Sequence, residues 1–249
     1  MLNIVSSALA TFVRPGIGIS VEPAAEKPVK MLELYDMEGC PFCRITREAL
    51  TELDIDAVVY PCPKKGTRFR PKVIEMGGKA QFPYLVDHNT GTQIYESVDT
   101  VAYLYETYGQ RPVPLKWRAE ALQKIGSSLA SALRPGFGLR LEPSSLPEKM
   151  LELYSFESSP FARLVREKLT ELEIPYILRN AGRTTWKDWV PPGVRESLGI
   201  ESEPELVNRQ ELQERAGKIA IPYLIDPNTG TELFESGQIV EYLDQTYGA

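Results

Sequence analysis

Residues 32–53 read LELYDMEGCPFCRITREALTEL, and residues 151–172 read LELYSFESSPFARLVREKLTEL. Leu32 corresponds to Leu151, an offset of 119 that sets Ser159 against Cys40 and Ala162 against Cys43. In the first copy a short apolar run meets a Pro-containing turn. Phe42, Ile45, Ala49 and Leu53 then recur at helical spacing, so the stretch predicts a strand handing over to an amphipathic helix. One copy carries a dithiol in that turn. The other keeps the turn and loses both sulfurs. A block repeated at this length predicts duplicated domains whose chemistry has diverged.

The repeat extends outward from there. QFPYLVDHNTGTQIYESVDTVAYLYETYG at 81–109 returns as AIPYLIDPNTGTELFESGQIVEYLDQTYG at 220–248, now at an offset of 139. The second copy has therefore gained about 20 residues between the blocks. A weaker echo precedes each copy, ALATFVRPGIGISVEP at 8–23 and SLASALRPGFGLRLEP at 128–143. The units are domain-sized rather than solenoid-sized. We expect one domain over residues 1–110 and a second over 115–249, with an insertion at about 181–212 and Gly109–Pro114 as the linker.

Composition narrows the class. A chain of 249 residues can bury two modest cores. A net charge of −6 argues against a nucleic-acid backbone or an anionic membrane as main partner. The basic cluster Lys64, Lys65, Arg68, Arg70 and Lys72 reads as a solvated loop. No apolar run reaches membrane-spanning length. The apolar N-terminus has no basic region before it, and the similar KIGSSLASAL recurs at 124–133, so it reads as part of the fold rather than a targeting signal. Three cysteines, two of them in C-x-x-C, point to an intracellular, soluble protein in a reducing compartment.

Within unit one the pattern predicts a leading helix to about Val13, stopped by Arg14-Pro15-Gly16, and an edge strand from Ile17 to Val21. Strands Leu32–Tyr35 and Asp56–Tyr60 bracket the cysteine helix as a parallel βαβ unit. Tyr84–Val86 and Gln93–Tyr95 flank the hairpin turn Asp87-His88-Asn89-Thr90-Gly91. A last helix runs from Ser97 to Tyr108 and stops at Gly109. The expected class is α/β, with two tandem thioredoxin-like domains.

The chemistry concentrates at Cys40. It precedes a helix with Pro41 at the first position, where the amide donors and the positive end of the helix dipole favour a thiolate. Cys43, across the first turn, is within disulfide reach. Cys40 can attack a disulfide and Cys43 can resolve the product. Zinc would need a second ligand pair, and only Cys62 and the single His88 remain, so no metal site is expected. Cys62 follows a strand parallel to the one before Cys40 and could lie beside the dithiol, either as an auxiliary thiol or as a plain strand-end residue.

At these residues a resemblance enters. Cys40-Pro41-Phe42-Cys43 resembles the redox turn of glutaredoxins, Phe82-Pro83 the cis-proline dipeptide of thioredoxin-like proteins, and Glu96-Ser97 the acidic-Ser pair of glutathione-transferase N-terminal domains. The resemblance implies a glutathione site at Phe82, Pro83, Glu96 and Ser97, with Ile221, Pro222, Glu235 and Ser236 in the matching places of unit two. Ser159-Pro160-Phe161, followed by Arg163, is similar to the motif of serine-type plant transferases, in which the hydroxyl favours the glutathione thiolate. Unlike those enzymes, this chain shows no all-helical transferase domain. The tandem arrangement resembles thioredoxin-like proteins of plant plastids and photosynthetic microbes, which adds a plastid-like compartment to the cytoplasm as an expected location.

Three functions stay open on this reading. The first is a glutathione-linked thiol–disulfide oxidoreductase using Cys40 and Cys43, with glutathione as cosubstrate and a protein disulfide among its substrates. The second is transfer or ligand binding centred on Ser159. The third is a non-enzymatic redox-sensing module. An iron–sulfur cluster shared between copies through Cys40 is the less favoured cofactor. The insertion, with Trp186, Trp189, Pro191 and Pro192, reads either as a wall over the Ser159 pocket or as packing against the other unit.

Overall fold

The computed structural model describes residues 2–12, 16–190, 194, 197–199 and 203–249. Each unit forms because a buried strand feeds a helix with one apolar face. In unit one, β1 (Leu32–Asp36) leads into α2 (Pro41–Glu52), then β2 (Ala57–Pro61), α3 (Arg70–Gly77), β3 (Tyr84–Asp87), β4 (Thr92–Ile94) and α4 (Ser97–Leu104), which ends in a π-turn at Tyr105–Gly109. Unit two repeats the order as β5 (Leu151–Ser155), α7 (Pro160–Glu171), β6 (Tyr176–Asn180), α8 (Val207–Ala216), β7 (Tyr223–Asp226), β8 (Thr231–Phe234) and α9 (Ser236–Tyr247). The fold is α/β, with two thioredoxin-like units in tandem. Ile45, Ala49 and Leu50 of α2, with Leu53 just after it, bury against Leu32, Leu34 and Leu85 of the sheet. Val165, Leu169 and Leu172 do the same in unit two. Phe42, expected on that buried stripe, is instead 39% exposed, because it faces outward beside the cysteine turn.

The units are not beads on a linker. Their strands form one eight-stranded sheet in the order β4-β3-β1-β2-β6-β5-β7-β8. The junction is antiparallel, with Ala57 opposite Leu178, Val58 opposite Ile177 and Val59 opposite Tyr176. Val58 and Ile177 are equivalent positions of the repeat, so a pseudo-two-fold axis passes through their pairing. β1 and β2 are parallel, as are β5 and β6. The antiparallel junction therefore turns the carboxyl ends of the two pairs towards opposite edges of the sheet.

The leading helices are exchanged. α1 (Leu2–Phe12) packs on α7 of unit two, and α6 (Glu120–Ala132), which follows the short α5 (Leu115–Arg118), packs on α2 of unit one. Small residues make the contact. Ser7 and Ala10 of α1 are buried, as are Ser127 and Ala130 of α6, whereas Val5, Leu9, Ile125 and Leu129 face outward. Ser7 Oγ donates to the Pro160 carbonyl at 2.6 Å, and Ser127 Oγ to that of Pro41 at 2.6 Å. Small side chains let helix axes approach, and the hydroxyls replace apolar grip with hydrogen bonds.

The expected edge strand at Ile17–Val21 is absent. Within it only Ser20 makes a β-bridge, to Arg183 of the other unit, and Arg140 mirrors this by bridging to Lys64. The stretch crosses between units instead of lining a sheet edge. Pro191 and Pro192 of the insertion, and Arg14 and Pro15 of the expected helix stop, lie outside the described residues. The start of the insertion holds the crossing arm, with Arg183 N–H donating to the Ile19 carbonyl at 2.8 Å and Val21 N–H to that of Arg183 at 2.9 Å. The basic cluster is likewise engaged rather than merely solvated. Arg68 donates to the carbonyls of Leu172 and Glu173 across the junction, Arg70 to those of Cys62 and Pro63, and Lys72 lies over the rings of Tyr35 and Tyr60.

Candidate functional site

Cys40 is the last residue before α2, in extended backbone, and Pro41 starts the helix. Its thiol is 8% exposed, whereas Cys43 is fully buried. A hydrogen bond from Cys43 and the amides of Cys43 and Phe42 pull the Cys40 thiol down to about 7, with Arg47 adding its charge and burial opposing. Cys43 moves the other way, pushed well up by burial and by its place as donor to Cys40. The pair is divided into an attacking thiolate and a protonated reserve.

Cys62 lies in the same cluster as the dithiol, together with Phe82, Tyr84 and Val73. It is buried, its thiol is pushed up by burial, and its Sγ donates to the Tyr60 carbonyl at 3.4 Å. That environment suits a packed strand-end residue. His88 is an exposed turn residue beside Glu33, at 3.2 Å. Among the described residues no group of three or more His, Cys, Asp or Glu is arranged to hold a metal ion.

Of the other expected residues of unit one, Phe82 packs in one cluster with Cys40 and Cys43. The Phe82-Pro83 peptide bond is cis, and Arg70 lies 4.7 Å from the centre of the Phe82 ring. Glu96, at φ +33°, precedes α4 and accepts from Gln81 Nε2. Ser97 is buried at the start of α4, and its Oγ has no hydrogen-bond partner. A hydroxyl and free helix amides at one point make a receptor for a carboxylate.

Unit two repeats the frame without the thiols. Ile221-Pro222 is also cis, and Glu235 also has positive φ. Ile221, Pro222, Glu235 and Ser236 line one cavity of about 270 Å³ with Phe161 and Phe234. Ser159 is less available. It is 2% exposed, its Oγ accepts from the Ala162 amide at 3.2 Å, and α1 lies over the turn, with Thr11 Oγ1 donating to the Ser158 carbonyl at 3.0 Å. Arg163 is buried as well, donating to the Ser7 carbonyl at 3.2 Å, and burial beside Arg44 pushes it down to about 9.

Sequence reasoning missed a buried charge cluster between α2 and α7. Arg47 reaches Asp36, Glu38 at 3.1 Å and Glu157 at 2.9 Å. Arg166 mirrors it, reaching Glu38 at 2.9 Å and Glu157 at 3.1 Å. Burial pushes Asp36 up to about 6, Arg47 pulling the other way and Glu38 and Glu157 adding to the rise. Glu157 stays ionised at about 2 despite burial, because Arg166, Arg47 and Arg44 surround it. The signal was the repetition itself. Glu38, Arg44 and Arg47 recur as Glu157, Arg163 and Arg166, whereas Asp36 becomes Ser155 and Cys62 becomes Ala181. The acid behind the dithiol disappears together with all three sulfurs.

Comparison with known proteins bears on this frame. The family of the glutathione S-transferase N-terminal domain matches twice, at residues 34–112 and 153–249. No curated protein matches the chain. Among solved structures, Bombyx mori glutathione transferase BmGSTD1 is similar at 24% identity and a TM-score of 0.31, over 42% of this chain and 50% of that one. Leishmania TDR1, a trimeric glutathione transferase, is similar at 13% identity and a TM-score of 0.27, over 89% of this chain and 68% of that one. The chain thus spans half the length of the Bombyx mori protein.

Proposed function

The chain belongs to the glutathione S-transferase N-terminal domain family, and from that premise we propose that it is a glutathione-linked thiol–disulfide oxidoreductase working at unit one. The observation that carries the reading is the joint presence of Cys40, Cys43 and Asp36 in one unit and the joint loss of all three in the other. A decayed or purely structural turn gives no reason for a strand-end acid to vanish with the thiols.

The Cys40 thiolate attacks the sulfur of glutathione in a glutathionylated substrate, forming a Cys40–glutathione disulfide and expelling the substrate thiolate. Cys43 passes its proton to Asp36 and attacks Cys40. The Cys40–Cys43 bond forms, the bond to glutathione breaks, and glutathione leaves as thiolate. Two further glutathione molecules return the pair to dithiols and leave as glutathione disulfide, so two electrons enter the substrate per cycle. Phe82 and Pro83 form the wall for the peptide backbone of glutathione, and Ser97 with the amides of α4 receives its γ-glutamyl carboxylate. Glu96 lies beside the glutathione amine.

A second reading rests on the cavity of unit two. Its size and its residues Ile221, Pro222, Glu235 and Ser236 suit a second glutathione. Ser159 is buried outside that lining, so its use as hydrogen-bonding partner of the thiolate requires α1 to uncover it. Cys40 and Ser159 follow strands that run in opposite directions, so each has its own ligand site, although Glu38 and Glu157 of the two turns meet at Arg47 and Arg166. Reduction of a glutathionylated small disulfide, lost in Cys40→Ser and kept in Ser159→Ala, is the expected result. Conjugation of an electrophile that survives Cys40→Ser and fails in Ser159→Ala would overturn the first reading in favour of the second.

A further inference from the structure

Unit two has lost the thiols yet keeps a carboxylate aimed at the machinery of unit one. Arg47, behind the dithiol, is held on three sides. Its Nη1 donates to Asp36, its Nη2 lies 3.1 Å from Glu38, and its Nε and Nη2 donate to Glu157 at 2.9 and 3.3 Å. Glu157 comes from the turn after β5, across the pseudo-two-fold axis. All four residues are buried.

We propose that Glu157 is a positioning residue for the dithiol of the other unit, sharing the Arg47 guanidinium with Asp36 and so withholding part of its charge from that carboxyl. The proposal rests on the oxidoreductase reading above. A carboxylate that alone faced Arg47 would be held ionised and would be a weak base for the Cys43 proton. Competition for the guanidinium, together with burial, leaves Asp36 at about 6, close to neutrality, where an acceptor works best.

The titratable and charged groups interacting with Asp36 come from both units. They are Arg47 and Cys43 of α2, Glu38 of the β1–α2 turn, Cys62 after β2, Tyr176 of β6 and Glu157 itself. Arg47 is the cation among them, and Glu157 is the carboxylate among them that unit two supplies. Arg166 on α7 pairs with Glu38 and Glu157.

The test follows the Asp36 carboxyl by carbon-13 NMR in the full-length reduced protein. Glu157→Gln should lower its midpoint by about half a unit. It should also slow release of glutathione from a preformed Cys40 mixed disulfide about twofold at pH 7. Glu157→Asp, which keeps the charge, should restore both. A folded Glu157→Gln protein whose Asp36 titrates as in the parent chain overturns the proposal. If that variant does not fold, the paired change Glu157→Gln with Arg166→Gln removes acid and base together. It should give the same direction of shift, and an unchanged midpoint again overturns the idea. The midpoint does not depend on turnover, so absence of reductase activity would sink the oxidoreductase reading while leaving the titration result standing.

Discussion

Asp36 and Cys40 give the site opposite pH signatures. Asp36 holds its proton up to about 6 in the fold, against 3.8 ordinarily. Between these values the unfolded chain ionises first, so this residue's contribution to stability falls as pH rises from about 4 to 6. Asp36→Asn should remove that slope, which denaturant midpoints across the same window will read, and should slow resolution at Cys43. Cys40 is shifted the other way, from 9.0 down to about 7. Its contribution is present above pH 9 and is lost as pH falls through 7. Alkylation of the reduced protein at Cys40 should therefore reach half its maximal rate near pH 7, with Cys43 and Cys62 protected. A rate that climbs only towards pH 9 would contradict the thiolate assignment. The sequence revealed Cys40 through its turn. It did not reveal Asp36, because an acid at a strand end reads as ordinary until its neighbours are known.

At the scale of elements, the exchanged arms are held by backbone that passes too close for side chains. Gly138, at φ +62°, donates its N–H to Glu171 and accepts the Gly39 N–H at its carbonyl, directly beside the Cys40 turn. A Cβ there would lie 2.8 Å from Glu38 Cβ and 3.1 Å from Gly39 N. Gly138→Ala should destabilise the protein by about 1–3 kcal/mol in a denaturant melt and blunt the Cys40 titration. The hairpins make a second element-scale case. Asp226 accepts from Tyr242 and Tyr247 hydroxyls and from the Asn228 amide, as Asp87 does from Tyr103, Tyr108 and Asn89. Asp226→Ala leaves the buried Tyr247 hydroxyl and the part-buried Tyr242 hydroxyl without this acceptor and should lower stability by about 1–3 kcal/mol, measured as a shift in denaturant midpoint. These hairpins were legible from D-x-N-T-G-T, since the turn chemistry is local.

At the scale of the molecule, the shared sheet makes each unit depend on the other. A chain ending at residue 110 would expose the β2 edge and the face of α2 that Ser127 and Ala130 cover. Such an edge seeks a second strand. We expect that fragment to dimerise or aggregate in sedimentation, and a stable monomer would argue that residues 1–110 are a self-sufficient domain. The sequence by itself determined the repeated parallel strand–helix–strand block, the hairpin and closing helix, the dithiol turn and the paired Pro and Glu-Ser positions. Each of these is written in periodicity or turn chemistry within a few residues. Only the tertiary structure decided the exchange of arms, the antiparallel junction and the charge cluster. Bonds that carry these features join residues 86, 110 and 153 positions apart: Ser127 to Pro41, Arg47 to Glu157 and Ser7 to Pro160. Their side chains are small hydroxyls on α1 and α6 and charged groups on α2 and α7, which along a sequence read as solvent-facing surface. Burial, not residue type, made them the seam of the molecule.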